Sequence, residues 1–226
     1  MNVQEATTRR LPDLKERHLP ENCRETINTI LKETYGYEQF RNLEIYDDLS
    51  KGKEKLCISQ GQLIENVILE AEKAWKGETQ VDNILLTAPT GSGKSLLFQL
   101  PAIYLGKEYN LLTIVVSPLK ALIVDQVESL QELGYMRVAY ASSDLSPEQK
   151  MEVYRQVREG EIDLFYLSPE LLLSYDIKHF VGERRIGLVV VDEAHTVTTW
   201  GKEFRVDYWF LGRYLTALKQ TLGYNF

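Results

Sequence analysis

Length, composition and charge limit what this chain can be. Its 226 residues, 44% of them hydrophobic, suffice for one α/β domain with a substantial core and are too few for two full domains. The formal charge of −7 gives no overall attraction to nucleic acid, so any such binding needs a local patch of Lys and Arg. Two cysteines and three scattered histidines exclude a disulfide scaffold and a zinc framework.

The amino-terminal third is predicted to be helical. Residues 1–21 are polar and contain prolines, which predicts a loosely ordered lead-in without a secretion signal. Asn22 and Glu25 form a capping pattern that predicts a helix ending at Gly36. A second helix is predicted over Glu38–Leu49. A third follows from an apolar stripe of period near 3.6, so that residues 22–80 form a helical segment. The stripe consists of Leu63, Ile64, Val67, Ile68, Ala71 and Trp75.

Short β-branched runs then alternate with helical patterns over residues 81–226. This alternation predicts an α/β fold with a parallel sheet flanked by helices. The runs are uniformly apolar, so we expect each strand to be buried on both faces. The predicted strands are Ile84–Thr87, Leu112–Val116, Arg137–Ala141, Leu164–Leu167 and Leu188–Val191. The predicted helices are Lys94–Leu105, Leu119–Leu133, Ser146–Arg158 and Asp207–Leu222.

A glycine-rich turn lies between the first of these strands and the helix that follows it. Its sequence is Ala88-Pro89-Thr90-Gly91-Ser92-Gly93-Lys94-Ser95, the pattern of a phosphate-binding loop. The main chain of Thr90, Gly91, Ser92 and Gly93 would surround the phosphates of ATP. Lys94 would reach the β- and γ-phosphates, and the Ser95 hydroxyl would hold Mg²⁺. The alternative is a plain Gly-Ser turn before a lysine, which the flanking strand and helix disfavour.

Two adjacent carboxylates follow the last predicted strand, in the sequence Asp192-Glu193-Ala194-His195. Ligands bind outside the carboxyl ends of parallel strands, so this loop should lie at the same edge as the phosphate loop. Charges at the end of an apolar strand need a metal ion or partners. Asp192 would hold Mg²⁺, and Glu193 would polarise the attacking water as a general base. A surface acidic turn is the alternative.

These motifs resemble the first ATPase lobe of superfamily-two helicases, and most of all the RecQ-type DNA helicases. The resemblance runs from about residue 35 to residue 218. It places two Ser-Pro segments and Asp125-Gln126 where the family contacts one DNA strand, although the Ser-Pro pairs are also typical of helix-opening turns. The residues it assigns to DNA in the two segments are Ser117, Pro118, Leu119, Ser168, Pro169 and Glu170.

The loop from Trp200 to Tyr208 is similar to the aromatic-rich loop that couples DNA binding to ATP hydrolysis in RecQ-type enzymes. Trp200, Phe204 and Tyr208 offer flat surfaces on which bases can stack, and Arg205 offers charge to a phosphate. The alternative is that the aromatic side chains belong to the core. His195 would relay between the ATP and DNA sites.

The adenine-reading motif of the family is split in this chain. Its first part matches Tyr35 to Arg41, and its second part matches Ser59 to Gln62. We infer an insertion of roughly residues 42–58, which leaves Arg41 and Gln62 as the adenine contacts. A Gln on a helix surface is the alternative for Gln62.

The resemblance implies a RecA-like domain of an ATP-dependent DNA helicase of 3′ to 5′ direction. ATP and Mg²⁺ would be its cofactors, single-stranded or partly duplex DNA its partner, and the cytoplasm its location, on the nucleoid if the source is bacterial. No membrane association is expected. In the family a Ser/Thr-Ala-Thr strand and a second lobe follow, and this sequence stops at Phe226 before either. A truncated or partner-dependent nucleotide-binding module, weakly active alone and completed by a second-lobe polypeptide, therefore remains the alternative.

Overall fold

The computed structural model describes residues 20–46, 55–86, 91–194 and 206–226. Its helices are α1 (Glu25–Tyr35), α2 (Gln60–Trp75), α3 (Leu96–Tyr109), α4 (Lys120–Glu132), α5 (Pro147–Glu159), α6 (Pro169–Ser174), α7 (Ile177–Val181) and α8 (Val206–Leu222). Its strands are β1 (Asn42–Tyr46), β2 (Lys55–Ser59), β3 (Leu112–Val116), β4 (Val138–Ala141), β5 (Leu164–Leu167) and β6 (Ile186–Val191). No helix in these ranges is both long and apolar enough to cross a membrane.

Four of the strands form a parallel sheet in the order β4-β5-β3-β6. Parallel neighbours cannot be joined by tight turns, so helices make the connections and the carboxyl ends of all four strands share one edge. Four of the predicted helices, α3, α4, α5 and α8, are present, with ends shifted by up to four residues. The predicted α/β fold, a parallel sheet flanked by helices, is therefore confirmed.

The core occupies both faces of this sheet. Helices α1 to α4 cover one face together with Val115 and Tyr166, whereas α5 to α8 cover the other with Ile114 and Phe165. Neighbouring residues of β3 and β5 thus contribute to opposite faces, as the period of two in a strand requires. Because α1 and α2 pack into the same core as α3, the helical amino-terminal segment is part of the α/β unit.

The predicted helix over Glu38–Leu49 is wrong, and so is the wholly helical character of residues 22–80. Residues 42–46 form β1, which pairs antiparallel with β2 in a register that sets Asn42 against Ser59. The sequence from Asn42 to Tyr46 alternates polar and apolar side chains, which suits a strand with a partner. Residues 47–49 of the predicted helix lie outside the described ranges.

The first helix begins two residues later than predicted, because its N-cap is Arg24 rather than Asn22. The structure holds Arg24 in an extended conformation. The main-chain N–H of Arg24 donates to Glu65 Oε2 at 3.0 Å, and its guanidinium donates to both Glu65 and Glu72 of α2. These contacts across the fold determine where the helix starts, and they outweigh the local capping pattern.

The predicted strand Ile84–Thr87 is not present over residues 84–86, and Thr87 lies outside the described ranges. Leu85 is 71% exposed. In the described sheet β6 is an outer strand that pairs with β3, and its residues 188–191 are half-buried. The expected burial on both faces is therefore wrong for β6, and it is also wrong for β4, where Ala139 and Tyr140 are half-buried. Residues 84–86 do not form a strand, because an apolar run does so only where a neighbouring strand accepts its hydrogen bonds, and no described strand lies beside them in this way.

Three distant segments meet at the amino end of β6, where the Arg185 guanidinium lies between the rings of Trp75 and Tyr224. The distances to the two ring centroids are 4.5 and 4.6 Å, and Arg185 also donates to the carbonyl oxygen of Ala74. The Tyr224 hydroxyl accepts from the Ile186 N–H. This Arg185 sandwich ties the end of α2 and the residues after α8 to the sheet.

Candidate active site at the carboxyl edge of the sheet

The loops that follow β3, β5 and β6 lie side by side at the carboxyl edge. The Ser117 N–H donates to the Leu167 carbonyl at 3.1 Å, and the Asp192 N–H donates to the Val116 carbonyl at 2.9 Å. The parallel register of the sheet continues into these loops. The two Ser-Pro segments that the resemblance assigned to DNA therefore lie beside the acidic motif.

The described part of the phosphate loop begins at Gly91, since Thr90 lies outside the described residues. Gly91 and Gly93 both have φ of +79°, in the left-handed region where a side chain is strained. Lys94 and Ser95 form the turn from which α3 starts at Leu96, two residues later than predicted. Ser95 occupies the N-cap position, yet its side chain makes no capping hydrogen bond. Its hydroxyl thus stays available for a ligand.

Gln60, the first residue of α2, holds this loop in place and was missed by the sequence reasoning. Its side chain is buried; Nε2 donates to the Ser92 carbonyl at 3.0 Å, and Oε1 accepts from the Arg41 N–H at 3.1 Å. A Cβ added to Gly93 would lie 2.7 Å from Gln60 Nε2, so glycine is needed there for close approach as well as for its backbone angle. The only feature of the sequence that could have identified Gln60 was its position two residues before Gln62.

The hairpin brings the two halves of the split adenine motif together. The Gln60 N–H donates to the Arg41 carbonyl at 2.9 Å, directly beyond the pair Asn42 and Ser59. Arg41 is exposed. The Gln62 amide bonds to the main chain instead: Oε1 accepts from the Ser59 N–H, completing a capping box, and Nε2 donates to the Pro20 carbonyl. Gln62 would have to exchange these bonds to contact adenine.

Asp192 and Glu193 leave β6 in a tight turn. Glu193 has φ of 52°, an uncommon value for a side-chain-bearing residue, and its N–H donates to Asp192 Oδ1 at 2.9 Å. Burial raises the pKa of the Asp192 carboxyl, while the Glu193 N–H, Gln126 and the charge of Lys94 act to lower it. The phosphate loop and the acidic motif are thus close enough to interact electrostatically. His195 lies outside the described residues.

The residues at this edge fit Mg²⁺. They offer a carboxylate, on Asp192, and a hydroxyl, on Ser95, and hard oxygen donors are the ligands that Mg²⁺ prefers. In the described ranges no group of three or more His, Cys, Asp or Glu side chains could enclose a metal. The chain would therefore supply part of the coordination shell and leave the rest to phosphate oxygens and water, as is usual for Mg²⁺.

The residues that the resemblance assigned to DNA differ in exposure. Leu119 and Glu170 are exposed and Ser168 is half-buried, whereas Ser117, Pro118 and Pro169 are buried. Ser168 accepts a hydrogen bond from the Leu171 N–H, so Ser168-Pro169 opens α6 in the manner of the alternative interpretation. The Gln126 side chain points inward rather than to the surface. Trp200, Phe204 and Arg205 lie outside the described residues, as does the side chain of Tyr208.

Comparison with known proteins agrees with this geometry. Residues 62–223 match the family model described as DEAD/DEAH box helicase. The ATP-dependent DNA helicase RecQ of Haemophilus influenzae is 30% identical over 187 residues, which is 83% of this chain and 25% of that protein. The ATP-dependent DNA helicase RecQ of Synechocystis is 34% identical over 202 residues, which is 88% of this chain and 35% of that protein.

The chain thus spans about a quarter to a third of the length of these relatives. Identity at this level over most of the chain, together with a family match that includes both the phosphate loop and the acidic motif, confirms the resemblance drawn from the sequence motifs. The chain belongs to the DEAD/DEAH box helicase family, and within it this chain is similar to the RecQ-type DNA helicases.

Proposed function

We propose that this chain is the first motor lobe of an ATP-dependent DNA helicase that moves 3′ to 5′ on single-stranded DNA once a second lobe is present. The observation that carries the proposal is the position of the acidic turn, whose Asp192 N–H donates to the Val116 carbonyl at the carboxyl edge of the sheet, where a nucleotide and its Mg²⁺ would bind. The charge of Lys94 is near enough to act on the Asp192 carboxyl, which supports a shared site. The Ser95 hydroxyl, which makes no capping hydrogen bond, supports the same assignment.

Each residue of the site has a role in this proposal. Gly91 to Gly93 bind the phosphates through the main chain, and Lys94 neutralises the β- and γ-phosphates. Ser95 and Asp192 hold Mg²⁺, which stabilises charge on the phosphates. Glu193 orients and deprotonates the attacking water. Arg41 and Gln62 contact the adenine, with Gln62 released from its capping bonds.

Single-stranded DNA is proposed to cross the loops after β3 and β5 and the segment from Trp200 to Tyr208. Leu119 and Glu170 are the exposed residues of the two described loops. Stacking of bases on the aromatic side chains would make binding independent of base sequence, which a motor requires. His195 would link the two sites.

Substitution of Lys94 tests the nucleotide part of the proposal. Lys94→Ala removes a charge-assisted contact to phosphate, and such contacts are among the strong ones. We expect the affinity for a fluorescent ATP analogue to fall at least tenfold, that is by about 1.4 kcal/mol. Lys107→Ala is the matched control, because Lys107 is an exposed lysine near the carboxyl end of α3, the helix that follows Lys94. Equal affinities in the two variants would remove the phosphate loop from the mechanism.

The alternative module, which binds nucleotide but depends on a partner for turnover, is supported by the position of two of the three arginines nearest in sequence to the acidic motif, Arg184 and Arg185; the third, Arg205, lies outside the described residues. An arginine that reaches the transition state is worth about 10³–10⁵ in rate. Arg184 and Arg185 lie before β6, at the end of the strand away from Asp192, and are engaged there by Asp163 and by the Arg185 sandwich. The isolated chain should bind ATP and hydrolyse it very slowly. Turnover of order 1–100 s⁻¹ with single-stranded DNA and no second protein would contradict this.

A further inference from the structure

We infer that a chain of four hydrogen bonds with a buried centre, here called the polar relay, positions the Asp192 carboxylate for Mg²⁺-bound nucleotide and couples it to the helix behind the proposed DNA segment. This inference rests on the proposed function and adds residues that the site described above lacks. The members of the polar relay, in order, are Tyr35, Gln99, Tyr166, Gln126 and Asp192.

The geometry of the polar relay is continuous. The Tyr35 hydroxyl donates to Gln99 Oε1 at 2.9 Å, and Gln99 Nε2 donates to the Tyr166 hydroxyl at 3.2 Å. The Tyr166 hydroxyl then donates to Gln126 Oε1 at 3.0 Å. Gln126 Nε2 completes the chain by donating to Asp192 Oδ2 at 3.4 Å. Tyr166 is fully buried, and both glutamines are nearly so.

All four bonds point the same way, from Tyr35 toward the carboxylate. In each intermediate residue one polar atom accepts from the preceding member, and the residue donates to the next. Hydrogen bonds aligned in this manner polarise one another, and the effect is strongest in a low-dielectric interior and toward an anion. The polar relay therefore favours one orientation of the Asp192 side chain, with Oδ2 held by Gln126 and Oδ1 by the Glu193 N–H.

The elements that carry the polar relay are the ones that the proposed function has to coordinate. Gln99 lies on α3, the helix that starts at the phosphate loop, and Tyr35 ends α1 and is the first residue of the split adenine motif. Gln126 lies on α4, which follows the Ser117 to Leu119 segment, and Tyr166 lies on β5, which leads to Ser168. A shift of α4 on contact with DNA would thus reach the carboxylate through a single side chain.

A purely structural role is the competing explanation, because buried polar groups must find partners in any fold. The two explanations differ in what they predict for the metal. Partners that orient a metal-binding group typically change metal affinity 10- to 100-fold when removed, as second-layer hydrogen bonds do in other sites. A structural hydroxyl changes the stability of the fold and leaves the dependence on Mg²⁺ unaltered.

The experiment compares binding of a fluorescent ADP analogue in Mg²⁺ and in EDTA for the wild-type chain and its variants. Tyr166→Phe removes one donor and one acceptor from the middle of the polar relay. The matched control is Tyr154→Phe, because Tyr154 is another buried tyrosine, in the core on the other face of the sheet. We expect the Mg²⁺ concentration that gives half of the full increase in nucleotide affinity to be about tenfold higher for Tyr166→Phe than for the wild type. The affinity of Tyr166→Phe for the nucleotide in EDTA should stay within about twofold of the wild-type value. Tyr154→Phe should match the wild type in both conditions.

Each outcome decides the question. The same Mg²⁺ dependence in Tyr166→Phe and Tyr154→Phe overturns the polar relay, and so does a loss of affinity in EDTA that equals the loss in Mg²⁺. Absence of nucleotide binding by the wild-type chain would instead refute the proposed function. Should Tyr166→Phe fail to fold, Gln126→Met breaks the final two bonds with little change in volume, and the same tenfold shift is required of it. Tyr35→Phe removes the hydrogen bond of the polar relay that is farthest from Asp192, so it should shift the Mg²⁺ dependence less.

Discussion

Gly106→Ala is expected to destabilise the fold although alanine is the better helix former. Gly106 lies in α3 and faces Asp163, which is fully buried. A Cβ at position 106 would lie 2.6 Å from both Cβ and Oδ2 of Asp163, closer than real side chains approach. Asp163 can swing aside only by weakening its hydrogen bonds, because its carboxylate accepts from Arg137 Nε at 2.6 Å, Arg184 Nη2 at 3.0 Å and the Tyr135 hydroxyl at 2.9 Å.

The expected magnitude follows from opposing contributions. Replacing glycine by alanine in a helix interior gains about 1 kcal/mol from backbone propensity. Overpacking a rigid core costs about 1–3 kcal/mol, and loss of one partner of a buried ion pair costs about 3–5 kcal/mol. Since the carboxylate is displaced rather than removed, we expect Gly106→Ala to lower the free energy of unfolding by about 1–4 kcal/mol.

Gly212→Ala provides the matched control. Gly212 lies inside α8, and a Cβ built there meets nothing within 4 Å. The same substitution should therefore raise the free energy of unfolding by up to about 1 kcal/mol. Urea denaturation measures both, provided that the slope of unfolding free energy against urea is unchanged. If Gly106→Ala were as stable as Gly212→Ala, the contact between α3 and Asp163 would be soft and the reasoning about a pinned carboxylate would fail.

Three further predictions concern charge, thiol reactivity and DNA. Burial acts to raise the pKa of Glu72, but hydrogen bonds led by Arg24 outweigh it and hold the pKa below its ordinary value. The ionised carboxylate thus stabilises the fold above pH ~4.3, and this contribution is lost as the pH falls through the lowered value. Unfolding free energy should fall more steeply with acid in the wild type than in Glu72→Gln, and equal slopes would contradict this. Burial raises the pKa of Cys23 to about 12 and also shields its thiol, so a thiol reagent at pH 8 should label exposed Cys57 first and Cys23 much more slowly. One fast phase for both thiols would refute this. Trp200→Ala should weaken binding of single-stranded oligonucleotides by ~1–3 kcal/mol whatever their sequence, and a loss confined to one sequence would argue for base readout.

The features that the sequence predicted well are those with a local cause. Strands β3 and β5 are buried on both faces, so their apolar character alone identifies them. Ser146 and Gln149 form the capping box that their spacing predicts, and α5 begins there. Lys94 and Asp192 could be singled out from the sequence because the phosphate loop and the acidic turn each follow strict residue types, and their roles at the site stay predictions.

The features that the sequence did not predict depend on contacts between distant segments. Whether residues 42–46 form a helix or a strand was decided by pairing with residues 55–59, which no local pattern encodes. In the sequence, Gln60 and Gln126 cannot be distinguished from surface glutamines. Only the fold shows that Gln60 holds the phosphate loop and that Gln126 turns toward Asp192. The absence of a strand over residues 84–86 has the same origin, since a strand requires a neighbouring strand.

The Arg185 sandwich has a consequence for the rates of folding and unfolding. It joins Trp75 to Tyr224, and beside it Asn225 donates to the carbonyl of Glu78, 147 residues away along the chain. Closing a loop of that size costs about 4 kcal/mol of chain entropy, which few contacts can recover before the sheet has formed. The sandwich therefore belongs to the late stage of folding. Interactions absent from the transition state act on the unfolding rate, so this contact governs how long the folded chain persists more than how fast it forms.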